Sequence, residues 1–316
     1  MLLTLLIVVL SAYIRLADVG IGCGEWPQCY ALLGLDDEAR GISVLTSQGK
    51  DIQYRGARVA HRYIASTLGV LIIVLVIASL RQGYSRPTGV LIPLATLAVT
   101  TFLSLLGYYT PNRDLPLVTI GNLFGGFGLL GLLWWLMQRY SDPLPTGGNK
   151  DLRSVAAIAA IFVVSQIFFG GWSSANFAST SCKDLLSCDQ QWLDSSNYIR
   201  AYTLDRQLSI NDTGRIEMGD ELATLTMTHR VFALVTAAYL VWMSRKLRSR
   251  ASLRSTATAI SVFSIGLLAA GIGAVWFELP LWLLSVHNVL AAGLLLSIIN
   301  LWHRLTPPRS VSQPPG

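Results

Sequence analysis

Three histidines, His61, His229 and His287, are the residues in this sequence best suited to chemistry. Two recur in one dipeptide at the head of an apolar run, His61-Arg62 in HRYIASTLGVLIIV and His229-Arg230 in HRVFALVTAAYLVW. Each follows a Cys-x5-Cys loop, CGEWPQC with Cys23 and Cys29, then CKDLLSC with Cys182 and Cys188. A histidine within a membrane span is costly and as a rule functional, and neutral imidazole is the standard axial ligand of haem iron. His229 and His287, on the second and fourth helices of one bundle, can both face its interior, where cofactor sites form between facing helices. For one histidine alone, a hydrogen-bonded packing role is the ordinary reading. Recurrence at one helical station, with a further histidine on the fourth helix, favours a bis-histidine haem.

The elements that must position these residues are membrane helices. Of the 316 residues 52% are hydrophobic and 13% charged, with a mean hydropathy of +0.50, far from the roughly quarter-charged composition of a soluble chain. Apolar runs near the roughly 20 residues that cross a bilayer as helix lie at 2–16, 61–80, 88–108, 117–137, 154–175, 226–243, 256–277 and 281–302. The first has no basic segment ahead of it and no cleavage site, so it reads as a helix rather than a removed signal peptide.

The plan repeats. GNLFGGFGLLGLL from Gly121 and VHNVLAAGLLLSI from Val286 align on Gly128 and Gly293, which sets Asn122 against His287. The expected fold is therefore an all-α integral membrane protein of eight transmembrane helices, arranged as two tandem, pseudo-twofold-related four-helix bundles. Residues 1–138 form the first bundle, 139–153 a cytoplasmic linker, 154–303 the second bundle and 304–316 a disordered tail.

Lys and Arg in short loops set the orientation. Arg81 and Arg86 follow the second span, Arg245, Lys246, Arg248, Arg250 and Arg254 follow the sixth, and Arg304 and Arg309 lie in the tail. Both termini then face the cytoplasm and both cysteine loops the opposite side, as in a bacterial inner membrane with periplasmic loops. The net charge of +6 follows from this topology and calls for no nucleic acid. Trp134, Trp135, Trp242 and Trp302 at one level and Trp276 and Trp282 at the other fit an interfacial belt. His303, beside Arg304, reads as interfacial. Two close cysteine pairs on the oxidising side suit two local disulfides, either bracing their loops or serving a redox role. Arg62 and Arg230 either pair with haem propionates or extend outward to the interface. The loop 177–225, with eight acidic and four basic residues, is long enough to be functional or disordered.

GIGCGEWPQC after the first span, the two His-Arg dipeptides, GGWSSANFASTSC closing the fifth span, TMTHR and SVHNVLAA together resemble the heme A synthase family along nearly the whole chain. The resemblance implies oxidation of a heme O ring methyl to a formyl group, giving heme A for terminal oxidases. It implies haem b on His229 and His287, heme O as substrate in the first bundle with His61 as an iron ligand, and both outer cysteine pairs. Heme O synthase, terminal oxidase subunits and a second copy of the chain are candidate partners. Two positions depart from the family pattern: Arg58 stands where a glutamate is usual and Asn122 where a second N-terminal histidine is usual. An arginine stays protonated and cannot move a proton as a carboxylate does. Two functions fit these departures: a synthase in which Glu25 or another acid substitutes, or a haem-binding partner or oxidase assembly factor whose first bundle has lost catalysis. A haem-free transporter of parallel repeats is a third class, though no Gly/Pro-broken helix marks a transport site.

Overall fold

The computed structural model describes residues 1–18, 37–81, 87–109, 116–140, 150–176, 178–182, 184, 185, 188, 192–204 and 219–306. Cys23, Cys29, Glu25 and the tail from 307 lie outside the described residues, as does the side chain of Arg58. Among the described residues every regular element is helical: α1 (Leu2–Asp18), α2 (Asp37–Arg81), α3 (Pro87–Tyr109), α4 (Pro116–Tyr140), α5 (Lys150–Ala175), α6 (Ser195–Ala201), α7 (Asp220–Arg248), α8 (Arg254–Trp276) and α9 (Leu281–Leu305). Single 3-10 turns at Ala178–Thr180 and Ala251–Leu253 follow α5 and precede α8.

Proline sets several helix starts. Pro87 and Pro116 are the first residues of α3 and α4 and Pro280 caps α9, positions where a missing N–H leaves no helical hydrogen bond unmade. Among the described residues seven helices are long and apolar enough to cross a membrane, from Val59–Arg81 in α2 to all of Leu281–Leu305. The chain is thus a multi-pass helical membrane protein. The eighth expected span is α1, whose apolar stretch, Leu2–Ile14, is shorter.

α1 packs on α2, α2 on α3, α3 on α4, and α4 back on α1. Likewise α5 packs on α7, α7 on α8, α8 on α9, and α9 back on α5, while α4 lies against α5 and α9 and α1 against α9. Lipid tails are as apolar as leucine, so close packing and polar contacts rather than water exclusion hold such helices together. Ala156, Ala159, Ala257 and Ala292 are buried where helices meet, and the β-carbon position of Gly293 abuts the Phe263 ring. Gln138 of α4 donates to Asn300 of α9 at 2.8 Å, and Asn300 donates to Thr256 of α8 at 3.0 Å.

His303, in the last turn of α9, is 9% exposed and meets Trp135 of α4 edge to face at 5.4 Å between ring centres. The loop 177–225 contains structure, since α6 is capped by Asp194, whose side chain accepts from the Ser196 N–H at 2.8 Å. That hydrogen bond to the charged form holds the Asp194 carboxyl below the ordinary carboxylate range.

Candidate functional site

All four long helices of the C-terminal half contribute to one level of the protein. His229 projects from α7 and His287 from α9, with ring centres 6.5 Å apart and planes inclined by 67°. Opposite them are glycines of the other two helices. A β-carbon on Gly170 of α5 would stand 2.7 Å from His229 Cε1, and one on Gly271 of α8 3.7 Å from His287 Cε1. No side chain larger than hydrogen fits at Gly170 with the ring in this place.

The two rings border a cavity of about 300 Å³, at the small end of ligand pockets. Its deep end is apolar, with Val163, Leu240 and Leu294, whereas Ser173, Ser174, Thr226 and Arg230 line it near the start of α7. Two imidazoles bound on opposite sides of one ion, each through a nitrogen about 2 Å away, hold their ring centres about 6 Å apart. The observed separation meets that requirement. Among the described residues no group of three or more His, Cys, Asp or Glu side chains could hold an ion.

Arg230 lines the cavity and also reaches the segment between Cys182 and Leu185. Its guanidinium donates to the backbone carbonyls of Asp184 at 2.5 Å, Leu185 at 3.2 Å and Cys182 at 3.1 Å. Cys182 and Cys188 form a disulfide, and Leu185 between them lines the cavity, fastened to the residue beside His229. Thr226 adds a hydrogen bond to the Ala178 carbonyl at 2.5 Å, and Trp172 one to the Ala201 carbonyl at 2.8 Å. Glu278 and Leu279 have φ of 57° and 60°, left-handed conformations that cost non-glycine residues about 1–2 kcal/mol each. They end α8 sharply, with Leu279 N–H donating to Ala274 O at 2.6 Å, and bring the chain directly into α9.

The chain matches the family described as cytochrome oxidase assembly protein over residues 1–299. It is 30% identical to heme A synthase of Shewanella oneidensis over 318 residues, covering 95% of this chain and 94% of that protein. The chain belongs to the heme A synthase family.

The N-terminal half of this family member has a different arrangement around its candidate residues. His61 is half-buried on α2, where the apolar part of that long helix begins, and Arg62 is exposed beside it. Asn122 is exposed on α4. Among the described residues no hydrogen bond or ring contact joins His61 to Asn122.

Sequence reasoning did not find Gln166, whose Nε2 lies 3.0 Å from His229 Nδ1, or the roles of Gly170 and Gly271. The Gly-Gly pair at the end of α5 was the available signal, since adjacent glycines weaken a helix and persist where another group approaches closely.

Proposed function

We propose that this protein makes heme A, oxidising the ring methyl of heme O to a formyl group, and that His229 and His287 hold a haem b in its C-terminal bundle. The facing imidazoles carry the reading: they are separated as one ion requires, with glycine behind each and a cavity alongside. Identity to a heme A synthase over nearly the full length of both chains supports the enzyme over a non-catalytic assembly factor.

In this reading residues 1–138 and 154–303 are two four-helix bundles of duplicated origin, joined by a cytoplasmic linker at 139–153. Helix α1 serves as the eighth span and residues 304–316 are a tail. The protein lies in a bacterial inner membrane, with its termini cytoplasmic and the disulfide loops periplasmic. A haem with two imidazole ligands has no open position and supplies one-electron transfer. Its porphyrin would contribute four nitrogens to the two from His229 and His287. Val163, Leu240 and Leu294 keep water from the deep end of the cavity. Ser173, Ser174 and Thr226 place hydroxyls at the end where a porphyrin's carboxylates are best solvated. Arg230 acts through the disulfide loop, which it holds beside the cavity.

In the N-terminal bundle His61 orients heme O by its iron, while Arg58 and Asn122 are divergent positions that take no proton. The acid needed for proton transfer comes from another residue, with Glu25 the candidate in the loop after the first helix. Heme O synthase as donor and terminal oxidase as recipient are the expected partners, and a second copy of the chain is a further one.

The test is to coexpress the chain with a heme O supply, purify it in detergent and identify extracted pigments by chromatography and pyridine haemochrome spectra. Haem b together with heme A or its hydroxylated intermediate is the expected result. Haem b alone, near one per chain, would overturn the enzyme reading in favour of a haem-binding assembly partner. A chain without haem b would overturn the assignment of His229 and His287.

A further inference from the structure

Gln166 is a polar side chain of α5 that the proposed chemistry leaves without a role. Its Nε2 lies 3.0 Å from His229 Nδ1 and donates to the His229 backbone carbonyl at 3.2 Å. Its Oε1 is buried with no hydrogen-bond partner. A buried, unpaired amide oxygen is costly, and this one belongs to a side chain lining the cavity.

A neutral imidazole has one N–H and one lone pair, so its two nitrogens cannot act alike. While the amide nitrogen donates to Nδ1, the imidazole proton sits on Nε2, which then has no lone pair for a metal. Turned end for end, the amide keeps its shape and presents Oε1 instead. Oε1 then accepts from Nδ1–H and the lone pair moves to Nε2. Because Gln166 occupies the Nδ1 side, Nε2 is the nitrogen left to ligate.

We propose that Gln166 is a positioning residue that sets the tautomer of His229 when haem iron is bound, its Oε1 accepting a hydrogen bond from Nδ1–H so that Nε2 faces the metal. The same hydrogen bond makes the ligand more basic, as acceptors behind metal-bound imidazoles do. The inference rests on the reading of His229 as a haem ligand.

Full-length wild type, Gln166→Leu and Gln166→Glu, purified with their haem, test it. Two quantities are read: the rate of haem loss to a competing globin, and the midpoint potential. Gln166→Leu should bind haem roughly 10–100-fold more weakly, the usual effect of removing such a partner. The potentials should rise in the order Glu, Gln, Leu, because a stronger acceptor enriches the imidazole and stabilises ferric iron. Gln166→Glu has nearly the shape of the wild type and keeps the order readable if Gln166→Leu does not accumulate. Haem-loaded chains of equal potential and equal haem retention overturn this inference alone. A wild-type chain that binds no haem overturns the His229 and His287 reading, and this one with it.

Discussion

The helices around His229 and those around His61 carry glycines in different relations to their neighbours. In the C-terminal half, Gly170 and Gly271 sit behind the two imidazoles. In the N-terminal half the corresponding close approaches are aliphatic: β-carbons on Gly121 and Gly125 of α4 would meet Leu106 and Leu103 of α3, at 2.9 and 2.5 Å. The C-terminal half also uses glycine for ordinary packing, at Gly171 against Leu123 and Gly293 against Phe263; what sets it apart is Gly170, whose β-carbon position abuts an imidazole.

The largest effect that tests this contrast is Gly170→Val. The added carbons occupy the place of the His229 ring, and overpacking of this kind costs about 1–3 kcal/mol. Haem b per purified chain should then fall by roughly tenfold, the equivalent of 1.4 kcal/mol. Gly125→Ala pushes instead on the flexible end of Leu103 and should leave haem b content unchanged. A loss of haem equal to that of Gly170→Val would erase the distinction between the halves.

Next in size is the disulfide. Cys182→Ser with Cys188→Ser should lower stability by about 2 kcal/mol, as opening so short a loop predicts, and should free the carbonyls that hold Arg230. Thermal unfolding in detergent, compared with the wild type under reducing conditions, reads it. A wild type whose unfolding temperature does not respond to reductant would mean that the loop is held by Arg230 and Thr226 alone.

The smallest effect belongs to Asn122. Its side chain is exposed, so Asn122→Ala should change stability by less than about 0.5 kcal/mol. Asn122→His should leave the chain with the same haem b content. A second haem b in that variant would show that the halves differ by this residue and little else.

Much of this fold was legible in the sequence. Membrane helices announce themselves by uninterrupted apolar length, and the expected runs coincide with helices whose ends differ from them by a few residues; α2 is the exception, extending back to Asp37 through polar sequence. The pairing of His229 with His287 followed from recurrence and helical station. Gln166, Gly170 and Gly271 were hidden because their roles exist only where four helices reach one level, which no local pattern encodes. The hydrogen bonds of Arg230 to the carbonyls of Cys182, Asp184 and Leu185 were hidden for the same reason, since sequence does not show that this segment lies against α7. The contact of His303 with Trp135 was likewise hidden, because it depends on α4 lying beside the end of α9. The short helix α6 escaped notice within a polar loop, although Asp194 followed by Ser195 and Ser196 is a cap followed by a first turn.

The most direct measurement of the central claim is haem b per chain in His229→Ala, His287→Ala and His61→Ala, each purified alongside the wild type and assayed as the pyridine haemochrome. Both C-terminal substitutions should lose most of the haem b while His61→Ala keeps it. Full retention in His229→Ala and His287→Ala, or loss of haem b in His61→Ala, would contradict the placement of the haem in the C-terminal bundle.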